Sequence, residues 1–390
     1  MNILLVSSDN NKTSGAFLCL VDLALNLKKL FHHKVIVVVP KDGDGIELLK
    51  QHQIPFYYVR SFSWVTYNGC GLKALTKTAF KKIAQIYNRL AIRKISEIIV
   101  EEDIDIVHIN TIFSYVGALA AISMHKKLVW HIRESLNCGF SSHIINEKNG
   151  YKLINRSNKV IAVSNAIKEE YSKYIDEKKF TVVYDGVDFK FYNPGHEILQ
   201  SNDVVFACVG ALVQDKNQIE LLKSLKCIMD QGITNFKLLV VGDGILKDKL
   251  NSYVKINDLS KNVKFLGRRS DVKDILSNVD CLFSVSKAEA FGRTIIEAML
   301  SGSLVVAAQS PNSAANEIIE PGFSGLLYNL GDVKQLSKII LEICQHKSDT
   351  KLKSVAIEGQ KIAISKYSDI NTAKKINDIY FKIMEDQDEC

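Results

Sequence analysis

Short runs of aliphatic and β-branched residues alternate along the chain with longer stretches whose apolar positions recur at helical spacing. The runs predicted as strands are Ile3–Val6, Lys34–Val39, Ile104–Ile109, Leu128–His131, Lys159–Val163, Val204–Val209, Phe236–Val241, Val263–Phe265, Asp280–Val285 and Leu304–Ala308. Amphipathic stretches such as Phe17–Leu30, Gln218–Asp230 and Val333–Gln345 are predicted as helices. Strands that alternate with helices indicate α/β domains with parallel sheets and right-handed crossovers.

The alternation restarts at Val204, after a loop that contains Asn193-Pro194-Gly195. The sequence therefore predicts two doubly wound, Rossmann-like domains, one over residues 1–195 and the other over 196–368. The last segment, 369–390, has a helical pattern followed by an acidic tail, and we expect its helix to pack back toward the first domain. Ligands of such sheets bind beyond the carboxyl ends of the strands, so residues that follow strands are the most informative.

Composition narrows the class of protein. The 390 residues are 47% hydrophobic and 24% charged, which is typical of a globular protein, and no apolar run approaches the ~20 residues of a membrane-spanning helix. The N-terminal MNILLVSSDN is typical of a first strand and not of a signal peptide. Eight scattered cysteines without a CxxC pair fit a reducing compartment. We therefore expect a cytoplasmic location.

The charge is unevenly distributed. Residues 1–190 carry 26 Lys and Arg against 18 Asp and Glu, whereas the remaining residues carry 24 against 25. The basic excess of the first half predicts an anionic partner there.

The stretch Ala288–Ala298 reads AEAFGRTIIEA and follows a predicted strand, so we expect it at the ligand-binding edge. Gly292 permits a tight turn and a close approach of a ligand, and the helix predicted from Thr294 would offer its N-terminal N–H groups to a phosphate. Glu289 and Glu297 would flank that site as hydrogen-bond acceptors, an arrangement that suits a nucleotide diphosphate carrying a sugar. On spacing alone, two solvated glutamates on a helix surface remain an open alternative.

Glu289 and Glu297 also match the E-x7-E signature of a known family, and the chain resembles retaining glycosyltransferases of family 4. Further segments that carry the resemblance are Gly210-Ala211-Leu212 with Lys216, Val241–Gly244, Phe265–Gly267, Val279-Asp280, Glu297–Met299 with Gly302, Asn316–Ile319, Val163-Ser164 and Asp185–Asp188. The resemblance implies the GT-B fold, in which two Rossmann-like doubly wound domains face each other across a cleft. It also implies transfer of a sugar from a nucleotide-diphosphate donor, with no metal requirement.

The resemblance assigns roles to individual residues. It implies that His131, Lys216 and Glu289 are catalytic, and that Arg133 and Glu134 lie on the acceptor side. The residues implied to bind the donor are Gly15, Gly210, Lys216, Glu289, Phe291, Gly292, Arg293, Thr294 and Glu297. The physical case for Lys216 also stands alone, because a cation fixed after a strand would stabilise the charge that builds on a leaving diphosphate.

Three of these assignments carry an alternative or a departure. Ala211 stands where the family usually has Arg, and we expect Arg268, Arg269 or Arg293 to supply the missing charge. Gly15 is the only one present of a usual glycine pair, and it could instead mark a helix start capped by Ser14 or Thr13. A lone histidine such as His131 is often structural, although its predicted place at a strand end favours a functional role.

Residues 71–95, GLKALTKTAFKKIAQIYNRLAIRKI, contain seven Lys and Arg and no acid, with apolar residues at approximately helical spacing. Such a helix can lie on an anionic membrane or attract a lipid-diphosphate acceptor. A helix that packs on the core and exposes a basic face to solvent is the open alternative, and the two interpretations can coexist.

Taken together, the sequence predicts a retaining, metal-independent glycosyltransferase that acts without a separate cofactor. The expected donor is a nucleotide-diphosphate sugar, a UDP-sugar by preference, and the expected acceptor is a hydroxyl of a glycan linked to a polyprenyl diphosphate. We expect a role in surface-polysaccharide assembly, either lipopolysaccharide or capsule, at the inner face of the cytoplasmic membrane, with no nucleic-acid partner. A nucleotide-sugar epimerase or hydrolase on the same fold is an alternative. A catalytically weak binding subunit of a transferase complex, which Ala211 favours, is another.

Overall fold

The computed structural model describes residues 1–67, 72–136, 142–192, 198–200, 203–311, 313–346 and 350–386, with side chains for all of these except 67, 72–82 and 191. The chain forms two compact units, Met1–Gly186 with Asp369–Cys390, and Val187–Ser368. The link predicted near residue 195 falls in residues 193–197, which lie outside the described residues.

The first unit is built on a parallel sheet of seven strands in the order β3-β2-β1-β5-β6-β8-β9, beside an antiparallel pair of β4 and β7. Its strands are β1 (Asn2–Val6), β2 (Lys34–Val39), β3 (Phe56–Tyr58), β4 (Val65–Tyr67), β5 (Ile106–Ile109), β6 (Lys127–Ile132), β7 (Ser142–Ile144), β8 (Lys159–Ala162) and β9 (Phe180–Val182). Its helices include α1 (Gly15–Phe31), α2 (Ile46–Gln51), α3 (Leu72–Glu101), α4 (Val116–Ser123), α5 (Glu147–Ile154) and α6 (Asn165–Tyr171). The strand order reverses between β1 and β5, so ligands of this unit are expected beyond the carboxyl ends of those two strands.

The second unit is built on a parallel sheet of six strands in the order β12-β11-β10-β13-β14-β15. Its strands are β10 (Val204–Val209), β11 (Phe236–Val241), β12 (Val263–Gly267), β13 (Cys281–Ser284), β14 (Leu304–Gln309) and β15 (Leu326–Asn329). Its helices are α7 (Gln218–Met229), α8 (Lys247–Ile256), α9 (Val272–Leu276), α10 (Arg293–Leu300), α11 (Ala315–Ile318), α12 (Val333–Gln345) and α13 (Thr350–Lys366) among the described residues. Here the order reverses between β10 and β13, which is the arrangement of a Rossmann sheet.

The final helix, α14 (Asp369–Glu385), belongs to the first unit, where it packs beside α1. Its apolar face joins the core formed by β1, β2 and α1, and polar contacts fix its position along the unit. Asn26 donates to Asp369 at 2.6 Å, and His33 Nε2 lies 2.8 Å from Asn377 Oδ1. Tyr380 extends to His108 in β5, with 2.6 Å between the hydroxyl and Nδ1.

Both sheets are covered on both faces, and the strand residues show it. Ile3, Leu4 and Leu5 of β1 have no exposed surface, and the described residues of β5 are equally buried. Burial on both faces explains why β1 reads as an almost continuous apolar run without polar alternation, and why the one polar residue of β5, His108, needs a buried partner. Across the described residues, no helix combines the length and the apolar character that spanning a membrane would require.

Candidate active-site residues in each unit

In the second unit, the loops that follow β10 and β13 bring Lys216 and Glu289 together. The Nζ of Lys216 lies 2.7 Å from Oε2 of Glu289, and the two side chains are 30% and 14% exposed. The lysine methylenes pass beside Gly210, where an added Cβ would lie 3.5 Å from Cδ of Lys216. Because β10 and β13 flank the reversal of strand order, this ion pair lies where a Rossmann sheet binds its ligand.

The charge on Lys216 is maintained by its partner. Burial opposes the charged form, but the adjacent Glu289 carboxylate outweighs it and the pKa of Lys216 is raised above its ordinary value. A cation therefore persists at this edge at neutral pH, partly exposed and able to pair with a phosphate instead of a carboxylate.

Backbone hydrogen bonds hold the loops of this edge in place. Lys287 donates its N–H to the carbonyl of Asp215 at 2.8 Å, and Ala314 donates to the carbonyl of Glu289 at 2.8 Å. Gly242 packs so closely on the Gly210 carbonyl that an added Cβ would lie 1.9 Å from its oxygen. The segments after β10, β11, β13 and β14 thus form one supported surface, which is what a preorganised binding site requires.

Gly292 sets the direction of helix α10. Its φ of +91° places it in the left-handed region, which glycine adopts without strain, and Arg293 begins the helix. Phe291, just before the turn, is buried with its ring centroid 5.9 Å from that of Tyr367. Thr294 lies in the first turn and is half-buried.

The second glutamate of the signature is also paired with a cation. Arg293 donates from Nε to Oε1 of Glu297 at 2.9 Å, one helical turn away. The sequence suggested two acceptors that flank an anion; the structure has each acid in contact with a basic side chain, Glu289 with Lys216 and Glu297 with Arg293.

Ala211, where an arginine was expected, is exposed in the loop after β10. Of the arginines proposed to replace its charge, Arg269 binds Asp271 at 2.8 and 2.6 Å, and Arg293 binds Glu297. Arg268 is exposed near Asp243, whose pKa is lowered first by the Gly244 N–H, then by Lys247, and further by Arg268. Compensation for Ala211 stays a prediction.

In the first unit, Gly15 is the first residue of α1, and an added Cβ there would meet nothing within 4 Å. Ser14 occupies the N-cap position, but its hydroxyl donates to Asp9 Oδ2 at 2.9 Å and does not cap the helix. Burial, the largest influence, raises the pKa of Asp9. No atom of the described residues thus lies close to the Cβ position of Gly15. The loop that precedes Gly15 is held by the polar contact between Ser14 and Asp9.

His131 does not end its strand, as the sequence suggested, because β6 continues to Ile132. The imidazole is fully buried, with its ring centroid 5.4 Å from that of His108. Burial first, and then the charges of Arg133 and His108, lower the pKa of His131 well below its ordinary value.

Arg133 is the first residue after β6, and its guanidinium is held by several groups. They include Asn110 Oδ1 at 3.2 Å, His131 Nδ1 at 3.1 Å, and the carboxylate of Asp185 in an ion pair. Sequence reasoning missed Asn110 as a partner and named Asp185 only as part of a motif. Asn110 directly follows the predicted strand Ile104–Ile109, whereas no strand was predicted directly before Asp185, so only Asn110 could have been considered from its position.

Glu134 is half-buried at the same edge, and its Oε2 accepts the N–H of Ile112 at 3.1 Å. Burial is the largest influence on its carboxyl group and raises the pKa of Glu134 to about 7. This carboxyl group can therefore hold or release a proton near neutral pH.

Two family models match the chain over nearly its whole length. One, described as Glycosyltransferase Family 4, covers residues 13–191, and the other, described as Glycosyl transferases group 1, covers residues 193–361. The chain belongs to glycosyltransferase family 4. It is a glycosyltransferase with the GT-B fold.

Relatives of this family-4 chain occur in several bacteria. The UDP-Gal:alpha-D-GlcNAc-diphosphoundecaprenol alpha-1,3-galactosyltransferase of Escherichia coli is 24% identical over 79% of this chain and 83% of its own length. The N-acetylgalactosamine-N,N'-diacetylbacillosaminyl-diphospho-undecaprenol 4-alpha-N-acetylgalactosaminyltransferase of Campylobacter jejuni is 27% identical over 48% of this chain and 53% of its own length.

Among solved structures, Anabaena HepE in complex with UDP and glucose superposes on this glycosyltransferase with a TM-score of 0.78. The two share 25% identity over 98% of this chain and all of HepE. The likeness extends over the whole fold described above. Among the described residues, no group of three or more His, Cys, Asp or Glu side chains is arranged to hold a metal ion.

Proposed function

We propose that this glycosyltransferase moves a sugar, with retention of its anomeric configuration, from a UDP-sugar to a hydroxyl of a lipid-linked glycan during surface-polysaccharide assembly. The observation that carries the proposal is the pairing of Lys216 with Glu289 where the strand order of the second unit reverses. A cation and a hydrogen-bonding acid at that edge suit a sugar diphosphate.

In this proposal, each candidate site residue of the second unit contributes to donor binding. Lys216 neutralises the diphosphate, and the N–H groups around Gly292 and the start of α10 bind a phosphate oxygen. Glu289, released from Lys216 by the incoming phosphate, accepts hydrogen bonds from the donor sugar, while Glu297 binds the ribose hydroxyls. The donor diphosphate thus replaces Glu289 as the ion-pair partner of Lys216.

The chemical step follows from this arrangement. The bond between the anomeric carbon and the diphosphate oxygen breaks through an oxocarbenium-like state, and charge builds on the leaving diphosphate beside Lys216. The acceptor hydroxyl attacks from the same face, and its proton passes to the leaving phosphate oxygen. The products are a glycoside of the original configuration and UDP, with His131 proposed as a catalytic residue and Glu134 as a residue on the acceptor side.

Two observations support a lipid-linked acceptor. The Escherichia coli and Campylobacter jejuni relatives are named for undecaprenol-linked substrates. Helix α3 of this chain exposes apolar side chains beside basic ones: Ile86 is 62% and Leu90 is 69% exposed, with Arg89 and Arg93 exposed on the same helix.

A groove of about 470 Å³ lies between α3 and the segment after β3, lined by Tyr58, Phe62, Ile83, Tyr87, Leu90 and Lys94 among others. Its walls are held together by Asn88, whose side chain exchanges hydrogen bonds with the backbone of Phe62. Exposed apolar and basic side chains on one helix are typical of contact with an anionic bilayer surface. These features support our proposal that the protein acts at the inner face of the cytoplasmic membrane.

The activity is tested by incubating the purified protein with radiolabelled UDP-sugars and a bacterial lipid extract. We expect the label to be transferred to lipid. NMR of the product should show the same anomeric configuration as in the donor. A product with the inverted anomeric configuration would contradict the proposed retaining mechanism. Release of free sugar would favour a hydrolase, and formation of an epimer would favour an epimerase. Binding of the donor without turnover would favour a binding subunit.

The membrane contact is tested separately by vesicle sedimentation. Ile86→Gln with Leu90→Gln should weaken binding to anionic vesicles, and Arg89→Gln with Arg93→Gln should weaken it in a salt-dependent manner. Equal binding of the native protein to neutral and anionic vesicles would contradict the electrostatic part of the proposal.

A further inference from the structure

A buried polar cluster lies at the carboxyl edge of the first sheet, and Arg133 is at its centre. Three acceptors from different parts of the chain hold the guanidinium: Asn110 after β5, His131 within β6, and Asp185 after β9. The side chains of Arg133 and Asp185 are only 4% and 8% exposed. A charge pair this deeply buried stays together, because neither charge has water to replace its partner.

This arrangement determines the protonation of His131. Arginine has N–H donors and no acceptor, so the bond between Arg133 Nη2 and His131 Nδ1 requires a lone pair on Nδ1. A neutral imidazole with a lone pair on Nδ1 carries its proton on Nε2, and an imidazolium is incompatible with the contact. Burial, the largest influence, and the positive charge of the adjacent Arg133 both oppose a positive charge on the ring. His108 is itself neutral at neutral pH, because burial and Arg133 lower its pKa to about 3.

The proton on Nε2 is left facing the interior. Nε2 of His131 is buried, and no hydrogen-bond partner for it lies within the part of the chain that the structure describes. A buried donor without a partner is costly, so Nε2 of His131 is expected to meet an acceptor such as an ordered water or a ligand oxygen. Nε2 of His108 likewise has no partner among the described residues.

We infer that Arg133, held by Asp185, locks His131 as the neutral tautomer whose Nε2–H donates a hydrogen bond to an oxygen of a bound substrate. The inference rests on the proposed function for the substrate, since a sugar or a phosphate supplies that oxygen. Arg133 and Asp185 are positioning residues in this account, and they act through His131.

The sequence around Asp185 fits this role. The segment Asp185–Asp188 resembles the N-G-V-D motif of the family, but its first residue is an acid here. An asparagine at this position could accept a hydrogen bond from Arg133 but could not neutralise it. The acid and the buried arginine therefore complement each other in this chain.

The tautomer is measured directly by NMR on protein with ¹⁵N-labelled histidine, using His131→Gln to assign the resonances. The expected spectrum has an unprotonated Nδ1 and a protonated Nε2 for His131, unchanged between about pH 6 and pH 8. A protonated Nδ1, or an imidazolium in that range, would overturn the inference whether or not sugar transfer is observed.

The dependence on Arg133 is tested with a charge-balanced variant, Arg133→Gln together with Asp185→Asn, because either change alone risks leaving a buried charge unpaired. His131 in this variant is expected to populate the other tautomer or to titrate near its ordinary value. His108, whose Nδ1 contacts Tyr380, is the internal reference and should keep its tautomer. An unaltered His131 spectrum would show that Arg133 does not set the tautomer.

The donated hydrogen bond is tested by kinetics. Glutamine places an N–H near the position of Nε2, so His131→Gln should retain activity within about tenfold, whereas His131→Phe should lower kcat by about 100-fold or more. Equal kcat and KM in the native enzyme and His131→Phe would overturn the contact with substrate. If the native protein transfers no sugar, the proposed function fails, and the NMR result still decides the tautomer.

Discussion

The two sheets reverse their strand order in the same way, but their carboxyl edges carry charge differently. In the second unit, Lys216 and Glu289 form a partly exposed ion pair, with Lys216 30% exposed. In the first unit, Arg133 and Asp185 form a pair that is almost fully buried. Removing one member of a buried pair costs about 3–5 kcal/mol, whereas an exposed pair contributes about 1 kcal/mol or less.

The two ion pairs are therefore suited to different tasks: one can exchange its partner for a ligand, and the other holds neighbouring groups in position. A partly exposed cation can leave its carboxylate for a phosphate at little cost, so the edge of the second unit is suited to bind and release a charged donor. The buried pair of the first unit cannot exchange partners in this way, and its contribution is to fix the orientation of neighbouring groups such as His131.

The largest effect that tests this contrast is expected for Lys216→Met. Loss of the cation should lower kcat by about 10²–10³-fold, because charge on the leaving diphosphate is no longer stabilised. The free energy of unfolding should change by only about 1 kcal/mol. Initial rates with a UDP-sugar and urea denaturation measure the two quantities.

Lys226→Met is the matched control, since Lys226 forms an ion pair with Asp230 on the exposed face of α7. It should leave the rate unchanged. A large loss of stability in Lys216→Met, with kcat intact, would assign Lys216 a structural role and remove the contrast between the units.

The second prediction concerns Glu134 and pH. The folded protein binds the Glu134 proton more tightly than the unfolded chain, since burial raises the pKa from 4.5 to about 7. The contribution of Glu134 to stability is therefore full below about pH 4.5 and is lost as the pH rises through about 7. Glu134→Gln should stabilise the protein at about pH 8 by on the order of 2 kcal/mol, and much less at about pH 5.

Urea denaturation at the two pH values measures this difference, and the exposed Glu169→Gln is the control. Histidines with lowered pKa values, such as His108, change stability in the opposite direction, so the comparison with the native protein at each pH is essential. An equal effect of Glu134→Gln at both pH values would contradict the burial of an ionisable carboxyl group at this edge.

Gly292→Ala should have a smaller effect. The residue has φ of +91°, and an added Cβ would lie 3.0 Å from Cδ1 of Ile295, so the substitution should cost about 1–2 kcal/mol of stability and weaken UDP binding. Gly232→Ala is the matched control, with φ of +85° and nothing within 4 Å of the added Cβ. Gly232→Ala should lower stability without altering the affinity for UDP, which a calorimetric titration measures. If the two variants bind UDP equally well, Gly292 is not part of the donor site.

The smallest effect is expected for Ala211→Arg. Because Ala211 is exposed beside Gly210, an arginine there has room to reach a diphosphate, and we expect UDP affinity to rise by about fivefold. Ala211→Gln, which adds length without charge, is the comparison. If neither change alters affinity in the same titration, the departure at position 211 has no consequence for the donor.

The strands of the fold could be predicted from the sequence where most of their residues are buried. The strands Lys34–Val39, Val204–Val209 and Phe236–Val241 were predicted to the residue, because nearly all of their residues are apolar and most are buried. The pair β4 and β7 was missed, since two three-residue strands far apart in sequence show no pattern until they pair.

Some residues of the candidate site could likewise be predicted from the sequence, and others could not. Lys216 and Glu289 could be placed at one edge because each follows a strand that flanks the reversal of strand order. The partners of Arg133 could not be found, because the positions of Asn110 and Asp185 beside it depend on the spatial order of β5, β6, β8 and β9. His131 was placed at the end of its strand because one further residue of β6 was not predicted.

A crystal structure of the protein with UDP would show whether the carboxyl edge of the second sheet binds the donor diphosphate through Lys216. Diphosphate oxygens should lie within hydrogen-bond distance of Lys216 Nζ and of the first N–H groups of α10. Glu297 should contact the ribose, and Glu289 should no longer contact the lysine. UDP bound elsewhere, or bound at this edge with the contact between Lys216 and Glu289 intact and no phosphate beside it, would contradict the account.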